Sequence, residues 1–157
     1  MNHMPSLVAA LPVIAFLLAG PALAQEPDYL DDRSDPAAIV RSLYNALNRQ
    51  EYARAWSYFA DPKPVADYAA FAAGYAGTTA IDLKVGEVTT EGAAGSLYGA
   101  VPVAISATTA DGTTIYAGCY ATRQIQPALQ EPPFRPLEIT SGTLRQAAAA
   151  TPPAACD

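Results

Sequence analysis

The chain has 157 residues, 51% of them hydrophobic, and a formal charge of −6. Nine Lys and Arg stand against fifteen Asp and Glu, and the basic residues are scattered, with Arg41, Arg49 and Arg54 the closest to a group. Phosphate contacts to nucleic acid or anionic lipid need clustered Lys or Arg, so neither partner is expected, and on helices these three arginines would be ordinary solvated positions.

The first element is an apolar run, "LVAALPVIAFLLAG", from Leu7 to Gly20, followed by "PALAQ". Ala22 and Ala24 form the small-residue A-x-A pattern of a secretory cleavage site, so residues 1–24 are expected to be a signal peptide and the product to be periplasmic or secreted, with no membrane insertion after cleavage. The competing reading is a membrane anchor, for which the run is short against the span of about 20 residues. Position 21 is Pro where a lipoprotein signal would carry Cys. Cleavage would remove His3, the one histidine, and with it any Ser-His-Asp, Cys-His or histidine-metal chemistry. About 130 residues would remain, enough for one domain with one core.

Residues 25–33, "QEPDYLDDR", are acidic and aperiodic and read as a flexible arm. Their carboxylates lack the spacing of a calcium loop. A helix then begins at "SDPAAIVRSLYNALN", where Ser34 or Asp35 can cap and Pro36 suits the first turn. Ile39, Leu43 and Leu47, with Val40 and Tyr44 beside them, form one apolar stripe. The pattern runs on past Asn48 into "RQEYARAWSYFA", with Tyr52, Ala55, Trp56 and Phe59 on one face, until "DPKP" at 61–64 stops it. "VADYAAFAAGYAGT" supplies a third, shorter helix that ends at Gly77.

From Thr78 the period changes to two. "TAIDLKVGEV" alternates Ile81, Leu83 and Val85 with Asp82 and Lys84, as a strand with one wet face does. "EGAAG" reads as a turn, "SLYGAVPVAISATT" as a strand interrupted by Pro102, "ADG" as a hairpin turn and "TTIYAGCYATRQI" as its partner strand. A proline-rich connection leads to a last strand, "LEITSGTLRQA", and an Ala/Pro-rich tail over 147–157. The expected class is therefore α+β: one domain over 34–146, with N-terminal helices packed into a curved antiparallel sheet of about four strands.

"DPAAIVRSLYNALNRQEYARAWSYF", "FAAGYAGT" and the strands after them resemble the nuclear transport factor 2-like superfamily, and most of all its small exported bacterial members. That resemblance implies a cystatin-like or ketosteroid-isomerase-like cone, and either a binding or pairing domain or an enzyme, since the fold hosts both. A homodimer through the sheet belongs to the same implication. An isomerase-like enzyme would run proton transfer with a buried carboxylate, from Asp61, Asp67 or Asp82, and a tyrosine such as Tyr75 or Tyr116. Dehydratase relatives use histidine, which is absent after residue 3.

No catalytic set, metal cluster or cofactor motif stands out, and the leading functional expectation is a non-catalytic domain for an apolar small molecule or a protein partner. A structural accessory of an envelope complex is a further alternative. Trp56, Tyr75, Tyr116 and Tyr120, with Tyr98, offer apolar area with a polar handle and form the candidate ligand pocket. The same spacing serves plain packing. Arg123 suits an anionic ligand or a surface ion pair, and Asp61 before Pro62 suits a turn.

Two cysteines, Cys119 and Cys156, remain for an oxidising compartment, where a disulfide is expected rather than two free thiols or a redox pair. Closing that loop would remove roughly 3–4 kcal/mol of unfolded-chain entropy. Cys119 shares a strand face with Ala117 and Ala121, while Tyr116 and Tyr120 share the other. The small residues leave room for the tail to fold back across them, with the tyrosines facing the helices. The reverse arrangement would put Cys119 inward and the tyrosines outside.

Overall fold

The computed structural model describes residues 26–156. The expected signal peptide, residues 1–24, lies outside the described residues. Three α-helices precede six antiparallel strands in the described chain, an α+β order.

Helix α1 spans Pro36–Asn48. The Asp35 carboxylate accepts the Ala38 N–H at 2.8 Å, which satisfies one of the free donors of the first turn. Ile39, Val40, Leu43, Tyr44, Ala46 and Leu47 are buried on its inner side. The helix stops after Asn48 rather than running on. Gln50 has φ 57°, its N–H donates to the Leu47 carbonyl, and the Glu51 N–H donates to that of Ala46. This is the paired closure of a left-handed cap, built on Gln where Gly is the usual signal. Helix α2 follows over Tyr52–Ser57. Its exit is stitched to the sheet: Ile139 N–H donates to Tyr58 C=O at 2.8 Å and Ala60 N–H to Ile139 C=O at 2.9 Å. Helix α3, Tyr68–Tyr75, is capped by Asp67, which accepts the Ala70 N–H at 2.8 Å.

The sheet is built on two long strands, β3 over Ser96–Thr109 and β4 over Gly112–Ile125, paired along their whole length. Each flank is made of two shorter strands. β1 (Thr78–Val85) and β2 (Thr89–Ala93) both pair with β3; β5 (Glu138–Gly142) and β6 (Arg145–Gln146) both pair with β4. Six strands thus occupy four rows, where about four strands were expected. Pro102 explains one interruption. It has no N–H to donate, and the first flank breaks opposite it, with β1 reaching Val103 and β2 starting at Ala100. Thr89–Ala93, part of which reads as a turn, is a strand; the turn itself is Ala94–Gly95, both at positive φ.

Residues 26–33 are fastened along α1 and α2. Leu30 N–H donates to Asn45 Oδ1 at 3.0 Å, Asp32 N–H to Ser42 Oγ at 2.7 Å, and Tyr58 Oη to Asp31 Oδ1 at 2.8 Å. Arg54 reaches the Leu30 carbonyl at 2.6 Å and lies over the Tyr29 ring at 4.5 Å. These contacts tie down a segment whose lack of periodicity suggested a flexible arm. They also correct the reading of Arg49 and Arg54 as solvated positions: their side chains are 19% and 12% exposed, and both are paired with Glu51. Burying such groups is favourable only when every donor finds a partner.

The tail turns back after β6 and crosses the outer side of the sheet, where Cys156 is bonded to Cys119. Pro152 and Pro102 both flank Gly86. Pro102 and Ala104, on the side away from the helices, are buried.

Candidate functional site

The inner face of β3 and β4 presents Val101, Val103 and Ile105 opposite Tyr120, Gly118 and Tyr116 in register. Helices α1 and α2 cover the Tyr120 end. Helix α3 packs on α2 through Phe71 and Trp56, and between it and the strands lies a cavity of about 570 Å³. Ala70, Phe71, Gly74 and Tyr75 line it from α3; Ile105, Ala107, Thr114, Tyr116 and Tyr120 line it from the sheet; Thr78 and Thr109 stand at the hairpin end. No Asp, Glu, Lys or Arg is among the lining residues.

Tyr120 is buried at one end. Its hydroxyl lies 2.8 Å from that of Tyr44, and the two rings meet edge to face at 6.2 Å. A side chain on Gly142 would press into the Tyr120 ring, its Cβ falling 2.6 Å from the ring edge, so glycine there is what lets the ring lie flat against β5. Burial pushes the Tyr44 and Tyr120 hydroxyls far above the usual tyrosine range, because a phenolate would lose its water; the neighbouring Tyr75 hydroxyl adds to the rise in both. Burial also raises Tyr75 itself. All three are neutral hydroxyls at ordinary pH and can donate or accept a hydrogen bond.

Of the tyrosines singled out in the sequence, Tyr75, Tyr116 and Tyr120 come together on the cavity wall. Trp56 does not line it. It packs against Phe71, ring centroids 5.2 Å apart, with Tyr68 of the same helix at 6.1 Å. Lys63 Nζ sits 5.4 Å from the Trp56 ring and donates to the Phe59 carbonyl. Tyr98 lies on the opposite face of the sheet beside Arg123. Arg123 donates to Ser96 Oγ at 3.1 Å and borders a cleft of only about 110 Å³ that also holds Asp61, Arg135 and Glu138. Tyr44, Phe71 and Gly74 belong to the site but gave no signal beyond helix packing, because their role depends on which strands fold back against their helices.

A carboxylate base inside the cone would have to come from Asp61, Asp67 or Asp82. All three are exposed, Asp67 is occupied as the α3 cap, and none lines the cavity. Among the described residues, no helix is long and apolar enough to cross a membrane, and no group of three or more His, Cys, Asp and Glu is placed to hold a metal ion. Comparison with protein-family models, with curated proteins and with solved structures finds no match to this chain.

Proposed function

We propose that this chain is an exported domain of the nuclear transport factor 2-like type, in which helices and curved sheet form a cone, and that it binds an uncharged apolar small molecule without transforming it. The observation that carries the reading is the cavity of about 570 Å³. It falls in the usual size range of small-molecule sites, and its wall is apolar with a few convergent polar groups. The Cys119–Cys156 bond supports export, since such bonds persist in oxidising compartments. A homodimer through the sheet, which the resemblance implies, would have to use the outer surface that the tail leaves open.

The test is a cavity-filling substitution. Gly74 faces the cavity, and a Cβ there would meet nothing within 4 Å. Gly74→Leu fills the space from a helical position and gains about 1 kcal/mol from helix propensity alone. The native protein is expected to enhance the fluorescence of the neutral dye N-phenyl-1-naphthylamine. The variant should melt higher and lose that signal. A native protein that does not take up the dye, or a stable variant that takes it up equally, would overturn the reading.

A further inference from the structure

The two ends of the cavity differ. Along β4 its wall runs from Tyr120 through Tyr116 to Thr114, alternate residues of one strand face. At about 3.3 Å per residue that is about 20 Å of wall.

The deep end is Tyr120, 5% exposed, opposite the fully buried Val101 on β3. Its hydroxyl is paired with that of Tyr44. Phe59, Phe71 and Leu144 complete an apolar end there. The hairpin end is half-buried and carries three threonines: Thr78 pairs across the sheet with Thr109, and Thr114 stands opposite Ala107, two residues from Thr109 on the same strand. Thr109 Oγ1 is occupied within the hairpin, donating to the Gly112 carbonyl at 3.3 Å and accepting from the Asp111 N–H at 3.3 Å. Thr78 and Thr114 bring the hydroxyls that remain for a ligand at this end, and Tyr75 and Tyr116 bring theirs along the wall.

Resting on the reading of the cavity as a binding site, we infer that its ligand is an uncharged amphiphile, held with its apolar tail toward Tyr120 and a hydroxyl or ester head among Thr78 and Thr114. Neutral hydroxyls exchange hydrogen bonds with such a head in either direction. A carboxylate head has no such match. No cation lines the cavity, Lys63 is engaged by the Phe59 carbonyl and the Trp56 ring, and the chain as a whole is anionic. A charged head partly withdrawn from water without a counter-ion is penalised, and the overall field adds to the penalty.

The experiment is displacement of N-phenyl-1-naphthylamine from the full exported chain by decanol and by decanoate at neutral pH and low salt. Decanol is expected to compete at least about tenfold more tightly than decanoate. Thr114→Val should weaken decanol several-fold relative to the dye, which has no hydroxyl head. Thr114→Lys should invert the order by giving the carboxylate a partner. Dye uptake with decanoate equal to or tighter than decanol overturns the amphiphile assignment while leaving the cavity reading standing. Dye uptake that decanol cannot displace does the same. Absence of dye uptake by the native chain removes both.

Discussion

The β3–β4 hairpin has two faces built from alternate residues, and they meet opposite fates. The inner face carries Val101, Val103, Ile105, Tyr116 and Tyr120, large side chains that the helices cover at one end and leave open to a cavity at the other. The outer face carries Ala100, Pro102, Ala104, Ala117, Cys119 and Ala121, and is covered by the chain's own tail. Bulk therefore sits where a separate layer of structure must be held at a distance, and smallness sits where backbone lies directly on backbone. The two faces are joined at Gly118. Thr143 donates its N–H to the Cys119 carbonyl at 2.9 Å, and a Cβ on Gly118 would overlap the Thr143 carbonyl. The chain from Gly142 to Cys156 thus passes inside Gly118, pairs along the edge as β6 and returns over the outside. Leu144, in the same passage, is part of the cavity wall.

Breaking the outer clamp should have the largest effect. Cys156→Ser is expected to cost about 4 kcal/mol on the loop-entropy model, read as a lower denaturant midpoint. Unchanged stability would show that the tail holds the sheet without the bond. Gly118→Val attacks the seam between the faces and should cost about 3 kcal/mol, since the obstruction is backbone and cannot swing aside; hydrogen exchange should rise first over residues 142–147. On the inner face, Tyr44→Phe leaves the buried Tyr120 hydroxyl without its partner and should cost about 1–2 kcal/mol. The double variant Tyr44→Phe with Tyr120→Phe should cost less than the sum of the two single changes, because no orphaned hydroxyl remains.

The pH dependence sharpens the same contrast, because three raised tyrosines, Tyr44, Tyr75 and Tyr120, belong to the inner side; burial raises Tyr58, against the arm, as well. Their folded pKa values lie above the unfolded value of about 10, so their contribution is complete below that pH and is lost as pH rises beyond it. Each tyrosine still protonated in the folded state while ionised in the unfolded one should lower stability by about 1.4 kcal/mol per pH unit. Alkaline titration should therefore show a delayed phenolate absorbance that appears together with unfolding. Early, independent ionisation of all the tyrosines would contradict their burial.

Much of the element order was legible because local rules produced it. Asp35 with Pro36 marked a helix start that the cap geometry bears out, and Pro102 marked a fault in the ladder that opens opposite it. The end of α1 was not legible, because Gln50 takes the left-handed position that sequence reading assigns to Gly or Asn. Nor was β2, since Thr-Thr-Glu-Gly-Ala has little strand preference of its own and is a strand because β3 offers it a partner. The docked arm and the burial of Arg49 and Arg54 escaped for the same reason: their partners come from segments that carry no local periodicity.

What the sequence by itself determined is the alternation: Cys119 with Ala117 and Ala121 on one face, Tyr116 and Tyr120 on the other, a consequence of the two-residue repeat of any strand. It also determined that two cysteines separated by 37 positions were available to pair. Only the tertiary structure decided which face turned inward, because that depends on where the helices and the tail find room. It likewise decided that Trp56 packs against Phe71 while Tyr44, on a helix 76 residues before Tyr120, meets it hydroxyl to hydroxyl. Such pairings are matters of packing between distant segments, and no spacing along the chain encodes them.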